Sequence, residues 1–148
     1  MRALVQRVSQ ATVHVGETHI ASIGPGMLVL LGVTHDDDLQ TAERLAEKVL
    51  ALRIFADQGG RMNEPLGQRE ILCVSQFTLY GDTARGNRPS FVAAASAEHA
   101  EPLYERFCEC CRARRGVFGA NMGVSLTNDG PLTLLLEARG RSSAGAAR

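Results

Sequence analysis

The six residues Asn128-Asp129-Gly130-Pro131-Leu132-Thr133 constrain this chain more than any other stretch. They separate two apolar runs, 122–127 and 132–136, of which the first alternates as a strand would. Asn, Asp, Gly and Pro each favour a bend for a separate physical reason, so the plain reading is two strands joined by a turn. Pro131 sits awkwardly in that reading. It falls where the return strand begins after an Asp-Gly pair, and it has no N–H to give to a ladder. A Gly-Pro bond can also be cis at modest cost, which would aim the neighbouring carbonyl groups where a trans turn cannot reach. Local composition favours the ordinary turn and leaves the cis arrangement open.

At 148 residues the chain fits one domain, expected over 1–139, long enough to bury a core. Apolar residues make up 45% and charged residues 22%, ordinary values for a globular protein. The net charge of zero argues against a general polyanion binder and leaves room for a local phosphate site. Lys48 is the sole lysine; the other basic residues are arginines, which suit phosphate forks but follow as simply from coding bias. Cys73, Cys108, Cys110 and Cys111 lack paired C-x-x-C spacing, so free thiols in a reducing compartment are expected rather than zinc ligands. The first residues contain no apolar export segment, and the longest apolar run, 27–33, is too short to cross a bilayer. A cytoplasmic location is expected.

Alternation over 3–15 predicts two strands with a bend or bulge at Ser9-Gln10. Arg7 lies between apolar neighbours, so its side chain either enters solvent or meets a specific acceptor. Gly16-Glu17 reads as a hairpin turn into a strand over 18–23, and Gly24-Pro25-Gly26 as a turn into a doubly buried strand over 27–33. Asp36-Asp37-Asp38 reads as capping for a helix whose apolar stripe is Ala42, Leu45, Ala46, Val49 and Leu52. A strand at Arg53-Ile54-Phe55, irregular chain over 57–67, and a strand from Glu70 running on through Leu79 follow. Residues 80–89 form a long loop of a length often tied to function. Ser96 caps a second helix with Leu103, Phe107, Cys110 and Cys111 inward; Arg112, Arg114 and Arg115 suit its dipole, and Gly116 ends it. The segment from Gly140 is expected to be disordered. The sum is α+β: one β-rich domain with two packed helices.

His14, His19, His35 and His99 are scattered, and no metal signature, P-loop or dinucleotide fingerprint is present. Ser75, Gln76 and Thr78 at a strand end can shape a pocket or close the strand by bonding loop backbone.

The pair Ser75-Gln76-Phe77-Thr78-Leu79 and Asn128-Asp129-Gly130-Pro131-Leu132-Thr133 resembles the two signature motifs of D-aminoacyl-tRNA deacylases. Val5-Gln6-Arg7-Val8, Leu30-Leu31-Gly32-Val33-Thr34 and Gly86-Asn87-Arg88-Pro89-Ser90-Phe91 extend the likeness over nearly the whole chain. The resemblance implies a barrel-like sheet with two helices, a homodimer with active sites at its interface, and hydrolysis of the ester joining a D-amino acid to tRNA. Glycine mischarged on alanine tRNA is an implied second substrate. Gly130 and Pro131, joined cis, would reject L-amino acids through main-chain carbonyls in the other subunit's pocket, with Arg7 holding the loop and Asn128 and Thr133 at its ends. Ser75 and Gln76 would shape the pocket, and Thr78 would position rather than attack. The tRNA's terminal 2′-hydroxyl and backbone N–H groups near Phe77 would supply the chemistry. No metal, organic cofactor, membrane or DNA partner is implied. Against the family pattern, the chain is short at Arg115–Val117 and compressed over 63–69. Two readings from other classes stay open: a non-catalytic module binding the tRNA end, and a Thr- or Ser-dependent esterase.

Overall fold

The computed structural model describes residues 1–141. The strands are β1 (Arg2–Val15), β2 (Thr18–Ile23), β3 (Gly26–Gly32), β4 (Phe55–Ala56), β5 (Met62–Glu64), β6 (Glu70–Ser75), β7 (Arg114–Arg115) and β8 (Gly123–Glu137); the helices are α1 (Leu39–Ala51) and α2 (Ala97–Cys111). One mixed sheet runs β2-β1-β3-β6-β7, with β8 along the other side of β1. β1 is antiparallel to β2, β3 and β8, while β3–β6 and β6–β7 are parallel. β2 comes round to touch β6 and β7, so the sheet curls into a nearly closed barrel.

Both faces of the central strands are buried, and their side chains sort by parity. Ala3, Val5, Met27, Val29, Leu31, Ile71 and Cys73 pack outward against the helices, where Leu45, Val49, Leu103 and Phe107 meet them. Val8, Leu28, Leu72 and Val74 point into the curl. Farther along β1 the inward residues are Ala11 and Val13, so the parity flips between Val8 and Ala11. A register shift against β8 lies between Val8 and Gln10. One strand with a bulge at Ser9-Gln10 therefore replaces the two expected, because an extra residue is what turns a strand over without ending it.

α1 begins at the acidic run, but its three members divide the work. Asp38 is the N-cap, its carboxylate accepting the Thr41 N–H at 2.8 Å. Asp37 is buried and takes the Met1 ammonium at 2.7 Å, and the ammonium also donates to the Ala138 carbonyl. α2 is capped by Ser96 and ends at Cys111, with Arg112 left-handed at φ 51. Gly116 is thus not the stop, and the expected basic end of the helix is instead β7, where Arg114 pairs with Glu70 at 2.6 Å. Gly116 leaves space for Met122, whose sulfur would lie 2.7 Å from an added Cβ. Cys108 takes the inward place expected of Cys110, which is half-buried. The expected strand at 53–55 is only β4, paired with β5 from the stretch read as irregular. Of the expected disordered tail, Gly140 is packed beside the Asp36 carbonyl, and residues 142–148 lie outside the described residues.

Candidate active site

Parallel pairing with β3 sets Ser75 beside Leu31 at the end of β6, and the Gln76 N–H donates to the Leu31 carbonyl at 2.8 Å. The chain then leaves the sheet as a 3-10 turn, Phe77–Tyr80, rather than extending to Leu79 as a strand. Leu79 N–H bonds the Gln76 carbonyl at 3.2 Å and Gly81 N–H the Thr78 carbonyl at 2.9 Å. A turn of this kind has no internal acceptor for its opening N–H groups, those of Phe77 and Thr78. Arg2 clamps the far end: its Nη1 donates to the Leu79 carbonyl at 2.7 Å, its guanidinium stacks on the Tyr80 ring, and its Nε meets Glu137 at 2.8 Å.

A cavity of about 490 Å³ opens at this strand end. Ser75, Gln76 and Phe77 line it with Leu31 and Val33, Ala97, Ala100 and Tyr104 of α2, residues 118–122 and Val124. Among its lining residues there is no Asp, Glu, His, Lys, Arg or Cys. Tyr104 is not a proton donor of ordinary acidity: its hydroxyl donates to the Cys73 carbonyl at 2.8 Å, and burial pushes its pKa up. Thr78 does not line the cavity; its hydroxyl accepts the Gln76 side-chain amide. The histidines are engaged elsewhere: His19 with Ser22, His35 with the Val92 carbonyl, His99 with the Asp37 carbonyl, and His14 edge-on to His19. No Ser- or Thr-centred triad is assembled among the described residues, nor any group of three or more His, Cys, Asp or Glu able to hold a metal ion. This is a site that can enclose a small group and offer backbone donors, but brings to it no side chain that ionises near neutral pH.

The other predicted residues lie apart from that cavity. Val8 faces Asn128 and Gln6 faces Thr133, so 129–132 stand opposite Arg7 alone. The turn expected here is therefore not a reversal: β8 pairs with β1 on both sides, and the excess chain bulges from the ladder. Pro131 needs no ladder N–H there, and the Gly130–Pro131 bond is cis. Asn128 closes the bulge, its Oδ1 accepting Leu132 N–H at 3.0 Å and its Nδ2 donating to the Thr133 hydroxyl at 2.9 Å. Gln6 reaches the same hydroxyl at 3.3 Å. Arg7 does meet specific acceptors: Nε donates to the Asp129 carbonyl at 3.0 Å and Nη1 to the Ile54 carbonyl at 2.6 Å. Gly130 sits at φ 127, a conformation that demands glycine, and a Cβ there would lie 2.6 Å from Arg7 Nη2, so the guanidinium would have to give way. Gly130 and Pro131 are exposed.

The thiols of Cys73, Cys108 and Cys111 are buried on the helix side of β6, all four cysteines free. Burial pushes the Cys73 thiol well up and that of Cys111 to about 12, whereas a hydrogen bond with Cys73 draws Cys108 down. Sequence reading missed Tyr104, the 118–122 connector and the α2 face as cavity walls; none carries a local signal, since only the packing of α2 and β8 around β6 brings them there.

Comparison with known proteins agrees with this architecture. The family model described as D-Tyr-tRNA(Tyr) deacylase matches residues 4–137. A D-aminoacyl-tRNA deacylase of Histophilus somni (strain 2336) is 55% identical over 142 residues, covering 92% of this chain and 99% of the relative. Its counterpart in Thermus aquaticus is 51% identical over 144 residues, covering 93% and 95%. A solved structure of a c-Myc DNA Unwinding Element Binding Protein superposes with a TM-score of 0.89 at 42% identity, covering 95% of this chain and 100% of that one. A probable eukaryotic D-amino acid tRNA deacylase shares the fold at a TM-score of 0.79 and 18% identity, covering 91% and 97%. With its signature strand end, its bulged β8 and this match over nearly its full length, the chain belongs to the D-Tyr-tRNA(Tyr) deacylase family.

Proposed function

We propose that the protein hydrolyses the ester between a D-amino acid and the 3′-terminal adenosine of tRNA, releasing free tRNA and the D-amino acid in the cytoplasm. It is an enzyme, a carboxylic ester hydrolase acting on aminoacyl-tRNA. The observation that carries the mechanism is a cavity lined by Ser75, Gln76 and Phe77 without a side chain that ionises near neutral pH. With no His, Asp, Glu or Lys in the lining to activate the Ser75 hydroxyl, assistance comes from the substrate's own terminal 2′-hydroxyl. The N–H groups at the start of the Phe77–Tyr80 turn steady the oxyanion as water adds to the ester carbonyl. The bond to the 3′-oxygen then breaks and that oxygen takes a proton. Ser75 and Gln76 shape the pocket, and Thr78 positions Gln76 through their hydrogen bond.

Selectivity comes from a homodimer in which Gly130 and Pro131 of one protomer enter the cavity of the other. Two features support this. The loop stands off its own cavity, exposed at its tip and held by Arg7, Asn128 and Thr133. Beside it on β8, an edge strand, Leu134 and Leu135 are exposed, the latter 54%. The two main-chain carbonyls exclude an L side chain and admit D or hydrogen, so glycine on alanine tRNA is hydrolysed too. Incubation with D-tyrosyl-tRNA and L-tyrosyl-tRNA tests the reading: only the D ester is expected to be cleaved. Equal cleavage of both, or binding of the tRNA without turnover of either, would sink it. Thr78→Ala is expected to keep much of the activity; its abolition would favour a threonine-dependent esterase instead.

A further inference from the structure

The loop between Asp82 and Ser90 belongs to neither the cavity nor the β8 bulge. Asp82 and Ser90 exchange both backbone N–H···O bonds, at 2.8 and 2.9 Å, which closes residues 83–89 into an exposed hairpin loop. Its base is fixed to the rim of the active-site cavity. Phe91 packs edge-on against Phe77 with ring centroids 5.1 Å apart, and Phe77 lines the cavity. Gly81 makes the packing possible, since a Cβ there would come within 3.0 Å of the Phe91 ring. The chain beyond is held as well, His35 meeting the Val92 carbonyl at 2.7 Å and the Thr34 hydroxyl donating to the Ala93 carbonyl at 2.5 Å.

The loop presents Arg85 and Arg88. Four arginines elsewhere in this neutral chain are ion-paired, Arg2 with Glu137, Arg7 with Asp129, Arg106 with Glu43 and Arg114 with Glu70, whereas Arg85 and Arg88 are in no such pair among the described residues. From residue 83 to residue 97 there is no acid at all. The nearby Asp82 carboxylate is turned onto the Ala84 N–H at 2.9 Å. Two exposed guanidinium groups without acidic partners among the described residues thus stand on a braced loop rising from the cavity rim.

Resting on the aminoacyl-tRNA reading above, we propose that Arg85 and Arg88 bind the phosphates of the tRNA acceptor strand adjoining the terminal adenosine. The cavity carries no cationic side chain of its own, so the negative charge of the phosphate strand has to be met outside it. Guanidinium forks suit phosphate oxygens, and a loop already closed by its own hydrogen bonds loses little freedom on binding. The patch therefore sets affinity for the polynucleotide and leaves the ester chemistry to the cavity.

The test compares two substrates in wild type and an Arg85→Ala/Arg88→Ala variant: D-tyrosyl-tRNA, and D-tyrosyl-adenosine, which has the ester but no phosphate. On the tRNA ester, the slope of log kcat/KM against log salt is expected to become shallower by about 1.4, about 0.7 for each phosphate contact. That corresponds to a loss of about tenfold near 0.15 M salt, carried by KM. Hydrolysis of D-tyrosyl-adenosine is expected to be unchanged, and Arg85→Lys/Arg88→Lys to recover most of the loss. Equal losses on the two substrates would mean that the loop shapes the cavity and would overturn the proposal, as would an unchanged salt slope on tRNA. If wild type cleaves neither ester, it is the deacylase reading that fails. The patch is then judged by filter binding of uncharged tRNA, where an unchanged salt dependence in the alanine variant overturns it.

Discussion

At Gly130 two demands coincide: a backbone at φ 127, and a guanidinium where a side chain would begin. Gly130→Ala is therefore expected to push Arg7 off the Asp129 carbonyl. A strained backbone alone costs about 1–3 kcal/mol, so chemical denaturation should show a loss of that size. D-tyrosyl-tRNA hydrolysis should fall with it, the loop no longer being held; wild-type activity in the variant would contradict the role given to the loop. The sequence marked Asp129-Gly130-Pro131 as a place where the backbone bends, and the resemblance implied that Arg7 holds the loop, but the position of its guanidinium against Gly130 was not legible. The two are far apart in sequence and meet only because β8 runs antiparallel to β1.

For the elements, the capping of α1 is where sequence and structure agree most closely, and it carries a pH dependence. Hydrogen bonds from the Thr41 side chain and backbone hold the Asp38 carboxyl below its ordinary 3.8. A carboxyl with a lowered folded-state pKa stabilises the fold above the unfolded value and loses that contribution as pH falls through the folded one. Asp38→Ala is expected to lower Tm at neutral pH, and the gap to wild type should close as pH drops below 3.8; a gap independent of pH would refute the carboxylate's part in it. α2 gives a second test. Its buried face holds Cys108 and Cys111 against Cys73, with Cys110 half-buried. Iodoacetamide on the native protein is expected to label Cys110 first and the other three only on unfolding, read by peptide mass. Early labelling of Cys73 or Cys111 would show that this interface opens. The sequence placed these cysteines on a helix but misjudged which of them faces inward, because a stripe of neighbouring cysteines has no polarity contrast from which to read a helix phase.

In the whole molecule, one long strand organises both candidate regions. β1 holds β3, and through it β6 with the Ser75 to Phe77 strand end; along its other side it holds β8 with the Gly130–Pro131 bulge. Within one protomer the two regions lie apart, so the proposed mechanism requires a partner. Size-exclusion with light scattering is expected to give a dimer, and Leu135→Arg on the exposed edge of β8 to weaken it and reduce hydrolysis together. A fully active monomer would contradict the proposal. No helix among the described residues is long and apolar enough to cross a membrane.

By itself the sequence determined most of the strand positions, an irregularity at Ser9-Gln10, the helix at Asp38 and the pairing of two motifs that marks the family. These are set by local conformational preference and by which face of each element must leave water. Only the tertiary structure decided that 128–133 is a bulge within a continuing strand rather than a reversal, since a turn and a bulge ask for the same residues and differ in what lies opposite. It also decided the cavity walls. Tyr104, Phe118 and Met122 are ordinary core-type residues in sequence, and they become a site because α2 and the chain leading into β8 close over the end of β6.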